Sequence, residues 1–182
     1  TQHVLWRVEN MELDRSIKNI AIQTGTNNIR KNTPIEIAKG IMCIAITFLL
    51  KDPDLNVIVS GLLPRDDKYS SSRNKIIEIN VLLNKLCLSI SEWKRTFLKP
   101  NSCWTQLNGD LNENLYWKDS LHLSEEGNFV FAKSIHHAIK GVIKKESPII
   151  STCSFSKSNI DFPSLPNQVV AHATVQAIKS SN

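Results

Sequence analysis

Asn19-Ile20-Ala21-Ile22-Gln23-Thr24-Gly25-Thr26-Asn27-Asn28 is the stretch that decides the fold. A short apolar strand runs into Gly-Thr-Asn-Asn and stops. In an open parallel sheet, ligands lie just outside the carboxyl ends of the strands. A glycine followed by two side-chain amides at that edge puts hydrogen-bond donors where a reacting carbonyl would sit. About ninety residues later, Asp119-Ser120-Leu121-His122 offers a base and an acid to orient it. Each piece alone has an ordinary explanation. Asn at a strand-to-loop turn commonly serves its own backbone, and an Asp three residues before a His is frequent in surface loops.

Strand and helix alternate outward from this point. His3 to Leu13 reads as an amphipathic helix, and Ile20 to Gln23 as the strand after it. Thr33-Pro34-Ile35-Glu36 is a helix start, with Thr33 as N-cap, Pro34 at the first helical position and Glu36 closing a capping box. The helix carries Ala38, Ile41, Ala45, Phe48 and Leu49 towards a core and ends near Asp52-Pro53. Asn56 to Gly61 is a second, more β-branched strand. A helix over about Arg73 to Cys87 follows, then a weaker strand at Arg95 to Lys99. Asn101 to Trp117 is polar and turn-rich. Ser124 caps a last helix from Glu125 to about Lys145, acidic at its start and basic at its end. This alternation predicts an α/β fold of βαβ units, with a parallel sheet and helices on both faces.

From Ser147 onward the chain is rich in Ser and Pro, and its hydrophobics lack periodicity until a short Val169 to Ile178 stretch. The division predicted is a domain over 1–146 and a disordered tail over 147–182. The four cysteines are far apart without a C-x-x-C pair, which argues against zinc and favours a reducing, cytoplasmic setting. Net charge is +5, but the basic residues are dispersed, so nucleic acid is not an expected partner. The apolar run Ile41 to Leu50 is ten residues long, too short to span a bilayer. His136 and His137 point about 100° apart on a helix and cannot share a metal. Trp6, Trp93, Trp104 and Trp117 read as core and loop anchors. No metal and no cofactor is expected.

The search for a nucleophile finds none in this chain. There is no G-x-S-x-G elbow. Ser91-x-x-Lys94 has S-x-x-K spacing without the accompanying S-D-N or K-T-G, and Ser60 lies inside a strand where neighbouring elements would cover it.

Four segments together resemble the SGNH (GDSL-like) hydrolases, and among them the catalytic α subunits of intracellular platelet-activating-factor acetylhydrolase type Ib. They are T-Q-H-V-L-W-R-V-E-N-M-E-L-D at Thr1 to Asp14, G-T-N-N at Gly25 to Asn28, V-I-V-S-G-L-L-P-R at Val57 to Arg65, and D-S-L-H-L-S-E-E-G at Asp119 to Gly127. The resemblance implies a three-layer α/β/α flavodoxin-like sheet, usually dimeric. It implies that Asn27 is a side-chain donor of the oxyanion hole, His122 the general base and Asp119 its orienting acid, with Thr26 and Leu121 lining a small acyl pocket.

The resemblance also implies a Gly-Asp-Ser block and a second block upstream of everything seen here. Both are absent, which predicts a sheet lacking its first strands, an uncovered apolar edge on the Ile20 strand, and an N-terminal truncation of a longer hydrolase. The expected activity is hydrolysis of a short acyl ester, such as an acetylated phospholipid, with a homologous subunit as homo- or heterodimer partner. The alternative is an inactive interaction or dimerisation module. P-R-D-D-K-Y, L-Y-W-K-D and the tail are also similar to esterase domains encoded by some retroelements.

Overall fold

A computed structural model of the chain describes residues 1–66, 69–89, 97–143 and 174–179. The elements are α1 (Gln2–Asn10), β1 (Ile17–Gln23), α2 (Pro34–Lys51), β2 (Asn56–Ser60), α3 (Ser71–Ser89), β3 (Phe97–Leu98), α4 (Glu125–Ile143) and β4 (Thr174–Lys179). The sheet order is β3-β2-β1-β4. β1, β2 and β3 are parallel, with Ile20 opposite Val57 and Val59 opposite Phe97.

Alternation along the strands creates the layers, because successive side chains leave opposite faces of a sheet. Ile20 and Ile22 of β1, with Val57 and Val59 of β2, join one core with Val4 and Val8 of α1, Ile41 and Phe48 of α2, and Ile79 and Leu83 of α3. Ala21 and Ile58, one residue out of step, meet Ile135 and Ile139 of α4 on the opposite face. Three helices on one side and one on the other give the α/β/α arrangement.

The capping box forms as the sequence predicts. Thr33 N donates to Glu36 Oε2 at 2.8 Å, and Thr33 Oγ1 accepts from Glu36 N at 3.4 Å. α1 ends at Asn10, short of the predicted Leu13. Lys51 at the end of α2 stops it by donating to the carbonyls of Glu9 and Met11 at 3.0 and 2.9 Å. Trp6 is 65% exposed and so is not a core anchor, whereas Trp104 is buried edge-on against Tyr116 and Phe131. Ser60 is buried, as expected of a strand interior.

The free edge expected on β1 is paired. Thr174–Lys179 runs antiparallel to it, with Ile20 opposite Ala177 and Gln23 opposite Thr174. That strand falls at the end of the segment read as a disordered tail, over the Val169 to Ile178 stretch, and its backbone groups take up the exposed ladder of β1. The rest of the tail, the Ser91–Lys94 motif, Trp93, Cys153 and the Arg95 start of the third strand lie outside the described residues. Among the described residues no helix is long and apolar enough to cross a membrane.

The start of α4 is fixed by Ser124, whose Oγ accepts from Gly127 N at 3.1 Å and donates to Asn114 O at 2.6 Å. A Cβ on Gly127 would lie 2.0 Å from Leu115 O. Helix propensity alone would favour Ala over Gly by about 1 kcal/mol. Here the backbone contact reverses the sign, and Gly127→Ala should destabilise the protein by about 2–4 kcal/mol. Equilibrium urea unfolding checks this, and an unchanged or raised midpoint would contradict it.

Candidate active site

Gly25 ends the β1 edge in a left-handed turn, with φ 107°. Its absent side chain is also a packing matter, since a Cβ would meet Ile37 Cγ2 at 3.0 Å and Ile41 Cδ1 at 3.1 Å. The turn therefore lies directly on the core face of α2. Thr26–Asn28 continues as a single 3₁₀ turn. Asn28 is the structural member of the pair: it is buried, its Oδ1 accepts from the Thr1 nitrogen at 2.9 Å, and its Nδ2 donates to Asn32 Oδ1. Asn27 is exposed, and among the described residues no hydrogen bond engages its side chain. Its amide is free to donate. Thr26 beside it is half-buried.

Asp119 and His122 meet across a tight turn. His122 Nδ1 lies 2.6 Å from Asp119 Oδ2, while Asp119 Oδ1 accepts from the Leu121 and His122 amides at 3.0 and 2.9 Å. The carboxylate thus orders its own loop with one oxygen and the imidazole with the other. This leaves Nε2 of His122 available for a proton. The His122 side chain is 74% exposed, and Leu121 is half-buried. The bond to the His122 ring, then the His122 and Leu121 amides, hold the Asp119 carboxyl down at about 2, against an ordinary 3.8.

The two loops share one edge of the sheet through the segment that leaves β2. Gly61 N donates to Leu98 O, and Asn80 of α3 brackets Leu62 by accepting from its N at 2.7 Å and donating to its O at 2.9 Å. Beyond it, Arg65 Nη1 donates to Thr26 O at 3.3 Å, and Asp66 N donates to Ser120 O at 3.1 Å. Tyr116, whose hydroxyl burial keeps protonated, donates to Pro64 O at 2.7 Å. In the sequence, Arg65 and Asp66 stand out only as parts of V-I-V-S-G-L-L-P-R and P-R-D-D-K-Y, and Tyr116 only as part of L-Y-W-K-D, and none of these segments assigns them a role. The signal was there only as one Arg-Asp pair just after a strand.

No serine or cysteine among the described residues is hydrogen-bonded to the His122 ring. Cys87 is buried and its thiol is pushed up to about 11, and burial also raises Cys43. Neither is a thiolate near neutral pH. A cavity of about 440 Å³ between α4 and the end of β2, lined in part by Ser60, Leu98, Trp104 and His137, includes none of Asn27, Asp119 and His122.

This chain is 32% identical over 146 residues to human platelet-activating factor acetylhydrolase IB subunit alpha2, covering 80% of the chain. The chain is a homologue of these subunits. It spans 62% of the length of that relative. The Drosophila melanogaster IB subunit beta homolog is 37% identical over 87 residues, covering 47% of this chain and 38% of that protein.

No family model matches. Among solved structures, a candidate acylhydrolase from Bacteroides fragilis superposes with a TM-score of 0.61 at 23% identity, covering 76% of this chain and 69% of that one. A candidate platelet activating factor protein from Streptococcus pneumonia gives the same TM-score at 18% identity, over 78% of this chain and 67% of that one. The fold is that of the SGNH hydrolases, with three parallel strands among the described residues.

The depressed Asp119 carboxyl makes a pH prediction. A carboxylate whose folded value lies below its unfolded value contributes stability that is present above the unfolded value. That contribution is lost as pH falls through the folded one. Carbon-detected NMR should therefore place the Asp119 midpoint at about 2. The stability advantage of the wild type over Asp119→Asn should be present at pH about 6 and fade between pH 3.8 and about 2. An Asp119 midpoint near 3.8 would show that the turn does not hold the carboxylate as described.

Proposed function

We propose that the chain carries the base and the oxyanion donor of a short-acyl ester hydrolase, acting on an acetyl ester such as an acetylated phospholipid. Its serine nucleophile lies outside these 182 residues. The reading rests on the 2.6 Å contact of Asp119 with His122, set at the same sheet edge as the unengaged Asn27 amide. Kinship to acetylhydrolase subunits supplies the reaction class.

In the proposed reaction the serine Oγ attacks the acyl carbonyl while His122 Nε2 takes its proton. Asp119 fixes the imidazole tautomer and stabilises the imidazolium that forms. The carbonyl oxygen becomes an oxyanion within reach of Asn27 Nδ2, which binds developing charge more tightly than the ground state. Collapse expels the alcohol, protonated by His122, and leaves an acyl-serine. Water, deprotonated by the same imidazole, then releases the acid and restores the hydroxyl. In this reading Thr26 and Leu121, both half-buried, border the acyl group. No metal or cofactor is required. The relatives are named as subunits, which supports a homologous subunit as the partner. A cytoplasmic setting suits the unpaired thiols.

The second reading, an inactive interaction or dimerisation module, is favoured by the lack of any described serine on His122. p-Nitrophenyl acetate separates the possibilities. These 182 residues alone should give no turnover above buffer. A longer form bearing an upstream Gly-Asp-Ser should hydrolyse it. In that form His122→Ala should cost about 10²–10⁴-fold and Asn27→Ala about 10²–10³-fold in kcat. Turnover by the 182 residues that His122→Ala abolishes would overturn the missing nucleophile. A longer form that stays inactive yet co-purifies with an active homologue would establish the module.

A further inference from the structure

The Pro64-Arg65-Asp66 segment takes no part in the chemistry above, yet it touches both halves of the site. Arg65 is 8% exposed and uses its guanidinium in two directions. Nη1 donates to Thr26 O at 3.3 Å, while Nε and Nη2 lie 3.2 and 3.4 Å from the two carboxylate oxygens of Asp66. Asp66 then donates its backbone N–H to Ser120 O. From α3, the buried Arg73 donates to Asp66 O at 3.4 Å and to Gly109 O at 2.9 Å. Asp66 is therefore held on its carboxylate, its N–H and its carbonyl by three different partners.

The backbone reports the same focus. Among the described residues, the non-glycine positions with positive φ are Asp66, at 56°, and Ser120, at 55°. They are hydrogen-bonded to each other. Backbone in this region costs of order 1 kcal/mol or more and persists where surrounding contacts over-determine it. Two guanidiniums sit buried here with backbone carbonyls as partners, and desolvating a charge is costly unless the geometry around it is satisfied. Both features converge on Asp66, which has a positive φ itself and is bonded to Ser120 and to both arginines.

We propose that Arg65 and Asp66 are positioning residues that set the Asn27 donor relative to the His122 base. Asp66 fixes Ser120 and with it the Asp119–His122 turn. Arg65, aimed by the Asp66 carboxylate, fixes the Thr26 carbonyl, which belongs to the peptide that leads into Asn27. The two loops are otherwise 91 residues apart in sequence, counting from Asn28 to Asp119. In an acyl-transfer site, misplacement by about 1 Å costs about 10²-fold in rate. The functional meaning rests on the ester-hydrolase reading, but the coupling itself is measurable without turnover.

The test is NMR on the full 182-residue chain, comparing Arg65→Gln, Arg65→Lys and Asp66→Asn with wild type. Arg65→Gln should move the amide resonances of Thr26 to Asn28 and of Ser120 to His122 together. The Asp119 titration should move up from about 2 towards 3.8 as the Leu121 and His122 amides swing away from Oδ1. Arg65→Lys keeps the charge but cannot bridge Thr26 O and Asp66 at once, so it should reproduce the shifts in kind. Asp66→Asn weakens the same Arg65–Asp66 pairing from the other side, so it should move both loops and the Asp119 midpoint in the same direction as Arg65→Gln, to a smaller extent.

The proposal is overturned if the variants lower the melting temperature while both loops keep wild-type resonances and titration. It is equally overturned if the shifts stay within residues 62–73. Should Arg65→Gln not fold, the other two variants carry the comparison. Uncoupled loops beside His122-dependent turnover in the longer form would sink this proposal alone. Coupled loops in a longer form that stays inactive would sink the ester-hydrolase reading alone.

Discussion

The apolar face that α2 lays on β1 and β2 is the contact to which the rest of the molecule is referenced. Ile37, Ile41, Ile44 and Phe48 are fully covered there. Ile37 and Ile41 do a second job, because they occupy the volume a side chain at position 25 would need. The direction in which the chain leaves β1 is therefore set by core packing and by backbone freedom together. A cavity at Phe48 would weaken the layer by about 3–5 kcal/mol. A volume change at Ile37 or Ile41 would instead be felt by the turn that presents Asn27.

The other half of the site is built by different means. Asp119 and His122 need only three residues of separation and a turn, and the carboxylate supplies the turn's hydrogen bonds itself. The antiparallel bridge between Tyr116 and Leu123, the Ser124 cap and the close approach of Gly127 to Leu115 seat that turn against the start of α4. One half of the site is thus held by apolar packing and the other by local polar bonding. The segment after β2 is where the two meet.

This division explains what was legible in the sequence. Periodicity and capping are local signals, so α2 with its box, β2, α3 and the start of α4 could be read directly. The Asp119–His122 pair was legible for the same reason, being local. The role of Asn27 against Asn28 was not separable by pattern. Only the fold shows that Asn28 is buried and bonded, and that Asn27 stands free. The bond from Arg65 to a carbonyl 39 residues away leaves no periodic trace, and neither does that from Asp66 to Ser120. The exposure of Trp6 escaped because an aromatic at helical spacing looks the same on either side of α1. β4 escaped because a six-residue strand in a polar segment is defined by the edge it joins rather than by its own composition.

The spacing of Asp119 and His122 has a consequence for how the site comes apart. A contact closed over three residues loses little conformational entropy on forming, whereas one closed over about ninety must be held by the whole fold. Partial loosening of the sheet edge would separate the donor from the base long before the pair itself dissolved. The protein would then still contain an intact hydrogen-bonded imidazole. Loss of competence and loss of the dyad are, in this architecture, separate events on the way to the unfolded chain.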